Sequence, residues 1–168
     1  ELVWLHKEEG LSFQNVVTFN LDEYYPMAKE ARQSYWRFMH EYFFDHVDIL
    51  PENIHIPDCT LPMEDVAAYC ERYEKGIDLA GGIDIQILGI GRTGHIGFNE
   101  PGAWETSPTR MVRLDHLTRH DAVKDFQSED DVPYRAITMG VGSIFKARTV
   151  YLLAFGQHKA HIIQQAIE

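Results

Sequence analysis

Hydrophobic and polar positions follow two periods along this chain, and the switches between them mark the elements. Leu2 to Lys7 reads as the end of a helix. Val16, Val17, Thr18 and Phe19 form a β-branched and aromatic run that predicts a short buried strand. Asn20 to Pro26 predicts a polar loop after it. Between Ser34 and Phe44, the residues Tyr35, Phe38, Met39, Tyr42 and Phe43 recur at the spacing of an amphipathic helix. Leu50 to Pro62 contains Pro51, Pro57 and Pro62 and predicts a loop. Met63 to Ala80 predicts a second helix, stopped by Gly81 and Gly82.

The second half alternates more quickly. Ile83 to Leu88 predicts a strand. Gly89 to Pro108 is too rich in glycine and proline to be one helix. Met111 to Leu114 predicts a short strand, Thr118 to Phe126 a helix and Ala136 to Met139 a strand. Val141 to Phe145 predicts a helical turn, Val150 to Phe155 a strand and His158 to Ile167 a helix. This alternation predicts an α/β fold, three-layered and Rossmann-like, with a mostly parallel sheet and helices on both faces. Ligands of such sheets bind at the carboxyl ends of strands. No repeat, low-complexity tract or linker divides residues 1–168, so a single domain is expected. The chain starts at Glu1 and stops at Glu168 inside an apparent helix, so the expectation is an excerpt of a longer protein.

Composition narrows the partners. Hydrophobic residues make up 45% and charged residues 24%, ordinary for a globular protein. The formal net charge of −11 argues against nucleic acid, which needs a basic face. It leaves room for a small phosphorylated sugar, which one lysine and a few backbone amides can hold. No apolar run approaches the ~18 residues of a membrane span, and no signal peptide is visible. Cys59 and Cys70 fit free thiols in a reducing compartment. The expected location is cytoplasmic.

Two segments carry candidate chemistry. Thr18 to Tyr24 places Asp22 and Glu23 just past a predicted buried strand. A partly desolvated carboxylate there could act as a base at carbon; a solvated acidic loop or a helix cap is the plainer alternative. The second segment runs from Gly89 to Pro101 and contains Gly91, Thr93, Gly94, His95, Gly97 and Glu100. Its glycines spell G-x-G-x-x-G, with Asp115 where a ribose-binding acid would lie. A dinucleotide site needs a helix opening at the third glycine, and Gly97, Pro101, Gly102 and Pro108 interrupt every such helix. A wrapped loop carrying His95 and Glu100 is the expectation instead. A histidine near neutral pKa could open a sugar ring by moving the anomeric proton to the ring oxygen; a histidine satisfied by backbone groups is the alternative. His116 with His120, and His158 with His161, lack a carboxylate or cysteine at zinc-site spacing, so no metal site is expected.

Taken together, VVTFNLDEYYPM, SYWRFMHEYFFDHVDILPENIHIPD, GIGRTGHIGFNEPG and AITMGVGSI resemble the glucosamine-6-phosphate deaminase (glucosamine-6-phosphate isomerase) family over nearly the whole chain. The resemblance implies conversion of glucosamine 6-phosphate to fructose 6-phosphate and ammonia, without metal or organic cofactor. It implies Asp22 as the base at C2, His95 as the ring-opening acid/base and Glu100 as its supporting carboxylate. Glu23, Gly91, Thr93, Gly94, Lys124 and Lys159 become candidate substrate-binding positions, Lys159 for the phosphate. Three departures stand out. Thr93 occupies the place of a family aspartate. Lys124 stands for an arginine and loses its bidentate fork. The family's allosteric site keeps Arg110 but has Val112 and Ala103 where a lysine and a serine are expected. Family members form hexamers or stay monomeric, so a homo-oligomer is one expectation. The alternatives are a sugar-phosphate-sensing domain with weakened chemistry, which Thr93 favours, and a 6-phosphogluconolactonase-like hydrolase, in which the C2 base would be idle.

Overall fold

Alternation of short strands with helices gives the chain its α/β fold. The computed structural model describes residues 1–168. The strands are β1 (Thr18–Phe19), β2 (Asp22–Tyr25), β3 (Ile54–His55), β4 (Ile85–Leu88), β5 (Arg110–Arg113), β6 (Arg135–Thr138) and β7 (Thr149–Leu152). The helices are α1 (Leu2–Glu9), α2 (Tyr35–Tyr42), α3 (Val66–Leu79), α4 (His116–Ala122), α5 (Val141–Phe145) and α6 (Ala160–Ile167).

β1 pairs parallel with β3, and β4 pairs parallel with β7. The hydrophobic pattern predicts β5 and β6, within a residue at each end, but neither β2 nor their pairing in an antiparallel trio of order β2-β6-β5. Its strand β2 replaces the polar loop expected over Asn20 to Pro26. The reason lies in alternation: Tyr24 and Tyr25 are both buried, on opposite faces of the trio, while the two acids beside them make the segment look like a loop.

The register of the trio sorts side chains onto two faces. Glu23, Ile137 and Met111 are paired across it, as are Asp22, Thr138 and Arg110. On the first face, Tyr25, Ile137 and Met111 pack with Cys59 and with Val66 and Cys70 of α3. On the second, Tyr24, Ala136 and Val112 pack with Phe98, Leu114 and Ala122 of α4. The trio is therefore the middle of three layers.

Local chemistry explains several helix ends. Ser34 caps α2, its hydroxyl oxygen accepting from the Arg37 amide at 3.0 Å while donating to the Lys29 carbonyl at 2.6 Å. The apolar stripe expected on this helix is split. Phe38 and Tyr42 are exposed and pack on each other at 4.9 Å between ring centres, while Met39 and Phe43 join Phe13, Phe44 and Ile49. α3 ends where Gly81 and Gly82 adopt positive φ, the Gly82 amide closing on the Ile77 carbonyl at 2.9 Å. Ile85 and Ile87 on one face of β4, with Tyr151 and Phe155 at and beyond β7, are exposed apolar groups.

Candidate active site

Asp22 opens β2 and projects from the α4-side face of the trio. It is half-buried, and desolvation, reinforced by the adjacent Glu23 charge, pushes its carboxyl up to about 7. Glu23, one residue on, projects to the other face and is almost fully buried. Its oxygens accept from the amides of Tyr24 at 2.9 Å and Trp36 at 3.0 Å, so it holds the start of α2. Burial raises its carboxyl and the Trp36, Tyr35 and Tyr24 amides counter that rise. The substrate-binding position expected at Glu23 is thus occupied by a helix-capping carboxylate turned away from Asp22.

The segment from Gly89 to Pro108 is a wrapped loop, with no helix opening at its glycines. It folds on itself through the Gly91 amide to the His95 carbonyl at 2.8 Å and the Gly94 amide to the Gly91 carbonyl at 3.1 Å. A Cβ on Gly91 would overlap the His95 ring, so a side chain there would displace the imidazole. Gly97 is required twice over. Its φ is +56°, and a Cβ would lie 2.9 Å from Thr138 Oγ1 and 3.3 Å from Asp22 Oδ2. That close approach brings the His95–Glu100 loop against Asp22.

The polar row Asp22–Thr138–Arg110 is what the loop docks onto. The Phe98 amide donates to Thr138 Oγ1 at 3.1 Å, and Arg110 Nη1 donates to Asn99 Oδ1 at 2.9 Å. Asn99 in turn donates to the Met139 carbonyl at 2.9 Å. No sequence pattern marks Thr138 or Asn99 as an anchor, although Thr138 lies in the ITMGVG segment, and Arg110 stands out only as an allosteric position by resemblance. The glycines there serve the same docking: a Cβ on Gly140 would lie 2.0 Å from the Ser107 carbonyl oxygen.

His95 Nδ1 lies 2.9 Å from Thr93 Oγ1 and 3.4 Å from Glu100 Oε2. Both His95 and Glu100 are mostly buried. Glu100 Oε1 accepts from the Thr118 hydroxyl at 2.5 Å and the Asp115 amide at 3.4 Å. Asp115 caps α4 by accepting from the Leu117 amide at 2.8 Å, which is its task in place of ribose binding.

Lys159 Nζ donates to the Ile90 carbonyl at 2.7 Å, so its ammonium sits at the carboxyl end of β4, at the root of the loop. Ile162 of α6 comes within 3.5 Å of where a Gly94 side chain would start. Lys124 is exposed in the turn after α4, next but one to Phe126, whose ring meets Tyr24 at 5.3 Å. The structure therefore gathers Asp22, Gly91, Thr93, Gly94, His95, Glu100 and Lys159 about one loop. It turns Glu23 away and uses Arg110 as a loop anchor. Both cysteines are buried free thiols, and burial pushes Cys70 up to about 11.

The chain is similar over nearly its whole length to known proteins. The family model described as glucosamine-6-phosphate isomerases/6-phosphogluconolactonase matches residues 2–168. The glucosamine-6-phosphate deaminase of Lysinibacillus sphaericus is 48% identical over 165 residues, covering 98% of this chain and 69% of that protein. That of Porphyromonas gingivalis is 48% identical over 169 residues, with 64% of its length covered. A deaminase-like protein of Bacteroides thetaiotaomicron is also 48% identical, but the match spans only 25% of it. The chain thus spans about two thirds or less of the curated relatives it matches. A solved monomeric glucosamine-6-phosphate deaminase superposes with a TM-score of 0.95 at 43% identity, over 99% of this chain and 68% of that one. A 6-phosphogluconolactonase from Thermotoga maritima shares the fold, with a TM-score of 0.71 at 22% identity over 94% of this chain and 65% of that one. With a wrapped glycine loop docked on an acidic strand end, and a match running almost from end to end, this chain belongs to the glucosamine-6-phosphate isomerase/6-phosphogluconolactonase family.

Proposed function

We propose that the full-length protein deaminates and isomerises glucosamine 6-phosphate, giving fructose 6-phosphate and ammonia. One observation carries the reading. A carboxyl pushed up to about 7, Asp22, lies against the same loop that holds His95 beside Glu100. A group of that pKa is ionised often enough at neutral pH to take a proton and holds it well enough to return it.

In this reading His95 takes the anomeric hydroxyl proton and delivers it to the ring oxygen, opening the sugar. The Glu100 carboxylate stabilises the positive charge that the ring gains in transit. Asp22 then removes the C2 proton, C1 is reprotonated, and the ketimine left at C2 is hydrolysed by water to the ketone and ammonia. Every step is a proton transfer or a hydrolysis, so acid–base side chains suffice. Lys159 supplies a cation for the phosphate and Lys124 remains a candidate substrate contact, with Thr93 and Gly94 along the approach and Gly91 making room for the imidazole. Residues 1–168 act as one α/β unit, and free cysteines fit a cytoplasmic setting.

The test is to incubate the full-length protein with glucosamine 6-phosphate and follow ammonia and fructose 6-phosphate together. Stoichiometric appearance of both supports the reading. Thr93, an uncharged partner for His95, favours one rival, a sugar-phosphate sensor, and binding without product would establish it. Hydrolysis of 6-phosphogluconolactone alone would replace both with a lactonase.

A further inference from the structure

The two oxygens of Glu100 have opposite surroundings. Oε1 takes both the Thr118 hydroxyl, at 2.5 Å, and the Asp115 amide, at 3.4 Å. Oε2 is buried with no hydrogen-bond partner and faces His95 Nδ1 at 3.4 Å. A buried carboxylate oxygen without a donor is costly to keep. The cost falls when a positive charge forms beside it, as it does on the imidazole during proton transfer. An interaction stronger in transit than at rest is the kind that raises turnover.

Something must keep Oε2 aimed that way. The terminal torsion of glutamate is broad and two-fold, so its own rotamer preference does not suffice. Arg113, Leu114, Asp115 and His116 line a cavity of about 360 Å³ with Glu100, yet none of their side chains bonds to it. The one side-chain donor to Oε1 is Thr118, in the first turn of α4. A helical threonine commonly turns its hydroxyl back to its own helix; here it crosses to the loop. Asp115 caps the start of this helix, and the exposed Arg92–Asp121 pair at 2.8 Å links its other end to the loop.

We propose that Thr118 is a positioning residue for the reaction, acting with the Asp115 amide to lock Glu100 so that its bare oxygen faces His95. The proposal rests on the roles given above to His95 and Glu100. It is tested on the full-length protein with a double-mutant cycle. Thr118→Val removes the hydroxyl and keeps the branched shape. It lowers kcat for ammonia release about 10-fold or more and leaves KM within about 2-fold, because the hydroxyl acts through Glu100. Thr118→Ser keeps the donor and restores kcat to within about 2-fold of the parent. In a Glu100→Gln background, Thr118→Val has no further effect, since its route to the chemistry is gone. Should the valine variant fail to fold, Thr118→Ala enters the same cycle.

Parental kcat in the valine variant, a serine variant as impaired as valine, or additive losses with Glu100→Gln would each overturn the role of Thr118. An inactive parent would overturn the catalytic reading together with it. An active parent with an indifferent Thr118 overturns the positioning role alone.

Discussion

On the α3 side of the antiparallel trio, Ile137, Met111 and Tyr25 meet Val66, Cys59 and Cys70, and the contact is almost wholly apolar. On the opposite side, the same three strands present Asp22, Thr138 and Arg110 to a glycine loop. The neighbours Asp22 and Glu23 show what this difference does to one type of side chain. Glu23 is the more deeply buried of the two, yet it is satisfied by backbone amides at the start of α2. Asp22 has no hydrogen-bond partner of that kind, and desolvation raises its carboxyl to about 7. Burial with donors makes a structural acid, and burial without them makes a base suited to neutral pH.

The largest effect expected from breaking this comparison is on Asp22. Asp22→Asn lowers kcat by about 10²–10⁴-fold, as loss of a general base does, while substrate binding is largely kept. Activity of the parent falls as pH drops through about 7, because the base is then protonated. Stability changes in the opposite sense. The folded-state pKa is raised, so the charged carboxylate opposes folding, with no cost below about pH 4 and the full cost above about pH 7. Asp22→Asn is therefore more stable than the parent at pH 8, by on the order of 2–4 kcal/mol, and converges with it near pH 4. Denaturant unfolding at the two pH values checks this.

The apolar face gives the next effect. Ile137 has no exposed surface, and Ile137→Ala lowers unfolding free energy by about 2–5 kcal/mol through lost burial and a residual cavity. Per folded molecule, its turnover stays near the parent's, since the side chain faces α3. A selective kcat loss at unchanged stability would contradict the division of the faces. The smallest effect comes from the loop. Thr93→Asp places a carboxylate where the hydroxyl meets His95 Nδ1 and raises kcat about 2–10-fold if charge support limits ring opening. An unchanged rate assigns that support to Glu100 alone, and the steady-state assay decides.

The parts of this arrangement readable from sequence are those with local signals. The stop at Gly81 and Gly82 and the unhelical glycine loop both follow from residue type and spacing. Strand β2 is hidden because its partner β6 lies far along the chain and two acids mask its alternating tyrosines. The division of labour between Asp22 and Glu23 needs the position of the Trp36 amide, which no local pattern encodes. Arg110 and Thr118 are the same kind of case. Arg110 stands out in the sequence only as an allosteric position by resemblance, and Thr118 not at all, until the fold sets them against Asn99 and Glu100. Phe38 and Tyr42 show the converse, a correct helical period whose outer members face solvent.

The most direct test of the account is proton exchange at C2. Glucosamine 6-phosphate is incubated in deuterated water with the full-length parent or with Asp22→Asn, and C2 deuterium is followed by NMR. The parent should incorporate deuterium while the variant binds the sugar and leaves the C2 proton in place. Exchange in the variant at the parental rate would contradict the assignment of Asp22 as the base.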